Sequence, residues 1–173
     1  MAELLRLHIG GRERKEGWKV LNIQPGDTVD YVGDIRDLSQ FENASCEIVY
    51  ASHVLEHVPQ CELVPTLIGV KRVLKHQGQF LISVPDLDTL SKMIIFPGLT
   101  TEQRIHVMRM MFGGQTDEHD FHFVGFSFDI LASYLQAAGF KSLQRAEQFG
   151  LFNDTSNYAP YGVPISLNVI AET

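Results

Sequence analysis

Residues 46–84 confine this chain to a parallel α/β architecture. Cys46-Glu47-Ile48-Val49-Tyr50-Ala51 is short, apolar and β-branched, the composition of a strand covered on both faces. Leu63, Leu67, Val70 and Leu74 follow at steps of four and three and therefore share one helical face. Lys71, Arg72, Lys75 and His76 fall where the last turn is expected, with Gly78 as a left-handed cap. Phe80-Leu81-Ile82-Ser83-Val84 reads as a second buried strand. Two such strands joined by a helix form a right-handed βαβ unit. Ligands of such sheets sit at the carboxyl ends of the strands, here at Ser52-His53 and Pro85-Asp86.

The flanking pattern extends the sheet on both sides. Leu4–Ile9, Trp18–Ile23 and Val29–Gly33 read as three earlier strands, each ending at a polar residue or glycine. Asp86–Met93 reads as a short helix or loop, and Pro97-Gly98 breaks the chain. Thr100 and Gln103 make a capping box for a helix through Phe112, whose Ile105, Met108, Met110 and Met111 read as core packing. Ser127 caps a further helix that Gly139 ends. Lys141–Glu147 is a weak strand and Ile165–Ala171 the last. No repeat or linker interrupts this order, so residues 1–173 are read as a single domain.

The first two connections are too short for helices. About seven residues separate Gly10 from the strand near Trp18, whereas a parallel crossover normally needs a dozen or more. That edge of the sheet lacks helical cover and must be buried by loops, a partner or a second copy, which makes a homodimer the expectation.

Charge and composition exclude several classes. The net charge is −7, and no run of Lys and Arg interleaves with aromatics, so nucleic acid is not the expected partner. The cluster Arg12-Glu13-Arg14-Lys15 is short and interrupted by an acid; it reads as a solvated loop or a contact to an anionic substrate. Cys46 and Cys61 make no disulfide framework and fit buried or half-buried thiols in a reducing cytosol. No apolar run approaches the ~20 residues that cross a membrane, and no signal sequence is read at the amino terminus, so a cytoplasmic protein is expected.

The run YASHVLEHV, followed by VLKHQGQFLISVPDLDTL, resembles the middle of a class I S-adenosylmethionine-dependent methyltransferase. It is most similar to the short bacterial, type-11-like kind. Phe112-Gly113-Gly114-Gln115, the His119–His122 cluster and a helix ending at Ala138-Gly139-Phe140 extend the resemblance. It implies a Rossmann-like, mostly parallel sheet with reduced helices around the first strands and an antiparallel strand near the carboxyl end. It also implies S-adenosylmethionine as cofactor and a small-molecule or carbohydrate hydroxyl as acceptor.

The resemblance assigns roles position by position. Gly10 and Gly11 stand where a glycine-rich turn receives the methionyl tail, with Arg12 replacing the family's second glycine. Asn22 stands where an acid usually holds the ribose hydroxyls. Asp34 and Ile35 match the adenine-binding pattern after the third strand, and Ser52 lies at the cofactor end of the fourth. His53 would face cofactor and acceptor. His119 and His122 lie in a loop that the family places over the mouth of the site, where an imidazole suits a general base.

No metal is expected. His53 and His57 are four apart with Glu56 beside them, but the H-E-x-x-H order and a third ligand nearby in sequence are both missing. Two rival functions stay open. A non-catalytic member of the fold would bind a partner or metabolite, having lost the glycine at Arg12 and the acid at Asn22. A nicotinamide-dependent oxidoreductase would need a G-x-G-x-x-G turn that this chain lacks.

Overall fold

The computed structural model of the protein describes residues 5–173, so Leu4 lies outside the described residues. Seven strands form one sheet. They are β1 (Leu5–Ile9), β2 (Lys19–Asn22), β3 (Tyr31–Val32), β4 (Cys46–Ser52), β5 (Leu74–Pro85), β6 (Ser142–Ala146) and β7 (Ser166–Glu172), in the order β3-β2-β1-β4-β5-β7-β6. The first five are parallel, while β7 runs antiparallel to both β5 and β6. From β1 the chain first builds outward to β3, then crosses back to lay β4 on the other side. The switch point therefore falls between the carboxyl ends of β1 and β4, at Gly10 and His53.

Four helices follow: α1 (Gln60–Val73), α2 (Leu87–Ile95), α3 (Thr101–Phe112) and α4 (Phe128–Ala137). Leu63, Leu67, Val70 and Val73 of α1 are buried against Val49, Phe80, Ile82 and the Leu131 and Leu135 of α4. The Thr100–Gln103 capping box forms as the sequence requires, with each side chain satisfying the other's backbone N–H. Ser127 caps α4, and Gly139 takes the left-handed conformation beyond it at φ +90°. Within α3 only Val107 is fully buried; Met110 and Met111 pack against a small core with Leu90 and Ile165, while Ile105 and Met108 are exposed.

One boundary differs from the reading above. Helix α1 ends at Val73, and the chain passes straight into β5 at Leu74. Lys75 and His76 thus belong to a strand, and Gln77, not Gly78, holds the positive φ of 61°. Cys46 pairs with Leu74 but Ile48 pairs with Gln79, so the extra residues form a bulge. Gly78 is needed there for space, because a Cβ would lie 2.8 Å from the Lys75 carbonyl. Strand pairing to Cys46 overrides the favourable charge placement of a longer helix.

No helix stands between β1 and β4, as the short connections require. The chain's own carboxyl-terminal loop covers part of that sheet. Phe152 stacks on Tyr50 with centroids 5.5 Å apart and meets Trp18 edge-on at 5.2 Å. Together with Leu81 they form a second core, reinforced by the 2.6 Å bond from Tyr50 Oη to Asp154. Cys46 is buried, whereas Cys61 is exposed on α1.

Candidate functional site

A cleft of about 570 Å³ opens at the switch point, within the size range of small-ligand sites. Ile9, Leu21, Ile35, Val54 and Val58 give it apolar walls; Asn22, Asp34, His53, His57 and His119 give it polar ones. Gly10 forms the bend after β1 at φ +78°, and its N–H donates to the Leu21 carbonyl at 2.8 Å. A Cβ at Gly10 would come within 2.6 Å of the Val54 side chain. Glycine is therefore required on two grounds, conformation and space.

Gly11 does not line the cleft; it faces the other way, where a Cβ would meet the His8 ring at 2.4 Å. Asn22 lines the cleft, but its side chain is committed to the backbone. Its amide nitrogen donates to the carbonyls of Gly10 (3.1 Å) and Gly11 (2.9 Å), and its oxygen accepts the Gln24 N–H at 2.9 Å. That orientation is fixed by partners that can act in only one sense. Asn22 is thus the strut that ties the first turn to the end of β2.

Asp34 sits across the cleft at the end of β3. Its carboxylate accepts both Nε (2.9 Å) and a terminal nitrogen (2.7 Å) of Arg36, and also the Arg36 backbone N–H. Burial works against its charge, but these bonds hold the carboxyl below the usual range. Arg36 reaches on to Glu62 at 3.2 Å. Ile35 is buried on the same wall. Arg12 lines the cleft and donates to the Gln24 side chain at 2.9 Å, a contact that sequence patterns could not show.

Ser52 lies at the end of β4 but not on the cleft wall, and its hydroxyl finds no partner among the described residues. His53 follows with φ +54°, a conformation that costs a non-glycine residue and clusters at functional sites. Its protonation follows from its partners. Ser166 Oγ donates its one proton to the Thr155 carbonyl at 2.9 Å, so it can only accept from His53 Nε2, also at 2.9 Å. The proton is on Nε2, and the Nδ1 lone pair faces Glu56 Oε1 at 3.4 Å. Burial, aided by the neighbouring His122, lowers His53 to about 4.

Glu56, fully buried in the 3₁₀ turn Leu55–His57, was not assigned a role by the sequence. Neither carboxyl oxygen has a hydrogen-bond partner among the described residues, and burial raises the group to about 8. His57 Nδ1 donates to the Phe121 carbonyl at 3.1 Å, which leaves Nε2 with its lone pair. The Phe123 N–H donates to the Glu56 carbonyl at 2.7 Å. These two bonds dock the 121–123 segment on the turn and bring the His122 ring edge-on to His57, 4.8 Å between centroids.

The loop over the cleft is tied by Asp120, which accepts from the Thr116 hydroxyl at 2.8 Å. Its two histidines separate. His119 is exposed on the cleft wall beside Glu118, whereas His122 turns inward behind His57 and lies off the wall. The sequence reading placed both in one role; alternation about Asp120 and Phe121 divides them.

A mostly parallel sheet with an antiparallel hairpin at one end, and a cleft at its switch point beside Gly10, is the class I methyltransferase-like architecture. Residues 11–82 match the methyltransferase-domain family. The chain superposes on a SAM-dependent methyltransferase from Archaeoglobus fulgidus with a TM-score of 0.64 at 16% identity, covering 98% of this chain and 86% of that one. A 1,6-didemethyltoxoflavin-N1-methyltransferase from Burkholderia thailandensis, solved with S-adenosylhomocysteine, gives 0.60 at 18% identity over 98% of this chain and 70% of that one. The trans-methyltransferase CalH, solved with SAH, gives 0.57 at 19% identity; the chain, covered over 98%, spans 51% of that protein's length. No curated protein matches the chain. The fold is that of class I SAM-dependent methyltransferases.

Proposed function

We propose that this chain transfers a methyl group from S-adenosylmethionine to a hydroxyl of a small molecule or carbohydrate. The observation that carries this reading is the cleft at the β1/β4 switch point, hinged by Gly10 and walled by Asp34 and Ile35. The residues present fit the cofactor. The bare backbone at Gly10 admits the methionyl tail, and the Arg12 guanidinium on the same wall complements its carboxylate. Ile35, Leu21 and Val54 offer apolar surface to the adenine, and Asp34 Oδ1 keeps a lone pair for its amino group. The ribose finds no carboxylate at the end of β2, since Asn22 is spent on the turn.

When bound, S-adenosylmethionine supplies an electrophilic methyl carbon, which the acceptor oxygen takes as the C–S bond breaks and its electrons pass to sulfur. The chain's own residues orient the acceptor, exclude water and receive its proton. His119, exposed on the cleft wall, is the imidazole placed to take that proton. His53 is not free for this, because Nε2 is held by Ser166 and Nδ1 faces Glu56.

The same reading includes a reduced, cytoplasmic setting, which the free Cys46 and Cys61 suit. It also includes a homodimer through the β3 edge, where Val32 and Ile23 are exposed. Light scattering that finds only monomer at high concentration would remove the dimer. The functional test is calorimetry with S-adenosylmethionine and S-adenosylhomocysteine: binding of both supports the reading, and binding of neither leaves a non-catalytic member of the fold.

A further inference from the structure

We propose that Glu56, His57 and His122 form a binding site for a divalent transition-metal ion at the inner wall of the cleft. One ligand atom from each of the three residues lies within 4.8 Å of the other two. The decisive feature is what these atoms lack. Both Glu56 oxygens and His122 Nδ1 are shielded from solvent and have no hydrogen-bond partner among the described residues. Glu56 itself has no exposed surface at all. Buried polar atoms are almost always paired, and an orphan costs about 1–3 kcal/mol, so a cluster of them calls for a ligand.

The tautomers make that ligand a cation. His57 gives its Nδ1 proton to the Phe121 carbonyl, leaving Nε2 as a bare lone pair. This is the outer bond that a metal-binding histidine normally makes. His53 gives its Nε2 proton to Ser166, and its bare Nδ1 stands beside the carboxyl, 3.4 Å from Glu56 Oε1. His57 Nε2 and His53 Nδ1 are therefore lone pairs and not N–H donors.

Two imidazoles and a carboxylate select the metal class. Mg²⁺ and Ca²⁺ prefer all-oxygen shells, whereas Zn²⁺, Co²⁺ and Mn²⁺ accept mixed nitrogen and oxygen. Three protein donors leave an open position, as in catalytic sites of this ligand type. Of the three ligands His57 lines the cleft, with His53 beside it, which makes the cleft the side from which an ion and an acceptor oxygen would approach. On the methyl-transfer reading, on which this last step rests, the ion would hold the acceptor hydroxyl and lower its pKa, leaving less for His119 to do.

The experiment is a titration of chelator-treated whole protein with Co²⁺, followed by visible absorption, with Zn²⁺ and Mg²⁺ as competitors. The expected result is saturation at about one Co²⁺ per chain, loss of the band on displacement by Zn²⁺ and no displacement by Mg²⁺ at equal concentration. Glu56→Gln and His122→Asn should each weaken Co²⁺ by at least ~10-fold. No saturable band, displacement by Mg²⁺ as effective as by Zn²⁺, or parent-like affinity in the variants would overturn the site. Should Glu56→Gln fail to fold by circular dichroism, His122→Asn alone decides. Calorimetry with S-adenosylmethionine on the same samples separates the two readings: a metal without the cofactor keeps the site and removes methyl transfer, and the reverse removes only the site.

Discussion

The side-chain amide of Asn22 donates to the carbonyl oxygens of Gly10 and Gly11, at 3.1 and 2.9 Å. A position that in sequence resembles a weakened ribose ligand braces the Gly10–Gly11 turn. Restoring the family's acid there would set a carboxylate against two carbonyl oxygens. Asn22→Asp should therefore lose about 1–3 kcal/mol of stability and bind S-adenosylmethionine no better than the parent. Urea denaturation and calorimetry read both quantities. Tighter binding in the variant would return Asn22 to the ribose.

Gly10 should be intolerant of any side chain. Gly10→Ala combines a positive φ with a 2.6 Å approach to Val54, so cofactor affinity is expected to fall at least ~10-fold. Gly150 is the control, since it also has a positive φ (61°) but nothing within 4 Å of its added Cβ. Gly150→Ala should cost only the backbone strain, about 1–2 kcal/mol, and leave binding unchanged. Equal loss of binding in both variants would mean that strain alone, not the shape of the cleft, is being measured.

His8 should make folding sensitive to acid. Its ring is buried against Phe152 at 4.0 Å and Tyr50 at 4.9 Å, and Nδ1 has no partner among the described residues. Burial lowers its pKa from 6.5 to about 4, with Asp154 and Glu13 pulling weakly the other way. The unfolded chain thus takes up this proton first as pH falls. Stability is fully present above pH 6.5 and is lost progressively down to about pH 4, by up to about 3 kcal/mol. His8→Phe should flatten that slope in melts taken at several pH values. An unchanged slope would assign the acid sensitivity to other groups.

His119 should affect turnover without affecting cofactor binding. His119→Asn removes the imidazole from the cleft wall but touches none of the proposed cofactor contacts, so kcat should drop ~10²-fold or more at unchanged S-adenosylmethionine affinity. The loss should be partly recovered at higher pH, where solvent can take the proton. A variant with parent kcat across that range would leave His119 without a catalytic part.

Much of the fold was legible along the chain because its causes are local. The apolar run Ile48–Ala51, the repeat Leu63, Leu67 and Val70, and the Thr100–Gln103 cap each follow from neighbours in sequence. The end of α1 was not, since the pairing of Leu74 with Cys46 is a non-local event that competes with helix propagation. The cover over Trp18 was equally hidden, because Phe152 reaches it only after the sheet has closed.

At the site the same division holds. The family resemblance, together with the strand ends, pointed to Gly10, Asp34, Ile35, His53 and His119, and all five line the one cleft. Which atoms were free could not be read that way. Asn22 is consumed by two carbonyls, Asp34 is shared with Arg36, and His53 is pinned between Ser166 and Glu56. Above all, the sequence pairs His53 with His57 beside Glu56, whereas His122 comes up against Glu56 and His57 only because Phe121 and Phe123 are bonded to the 3₁₀ turn. Strand and helix patterns are set by short-range sterics and burial, but the protonation and partnering of a buried side chain depend on groups brought together across the fold, which no local pattern encodes.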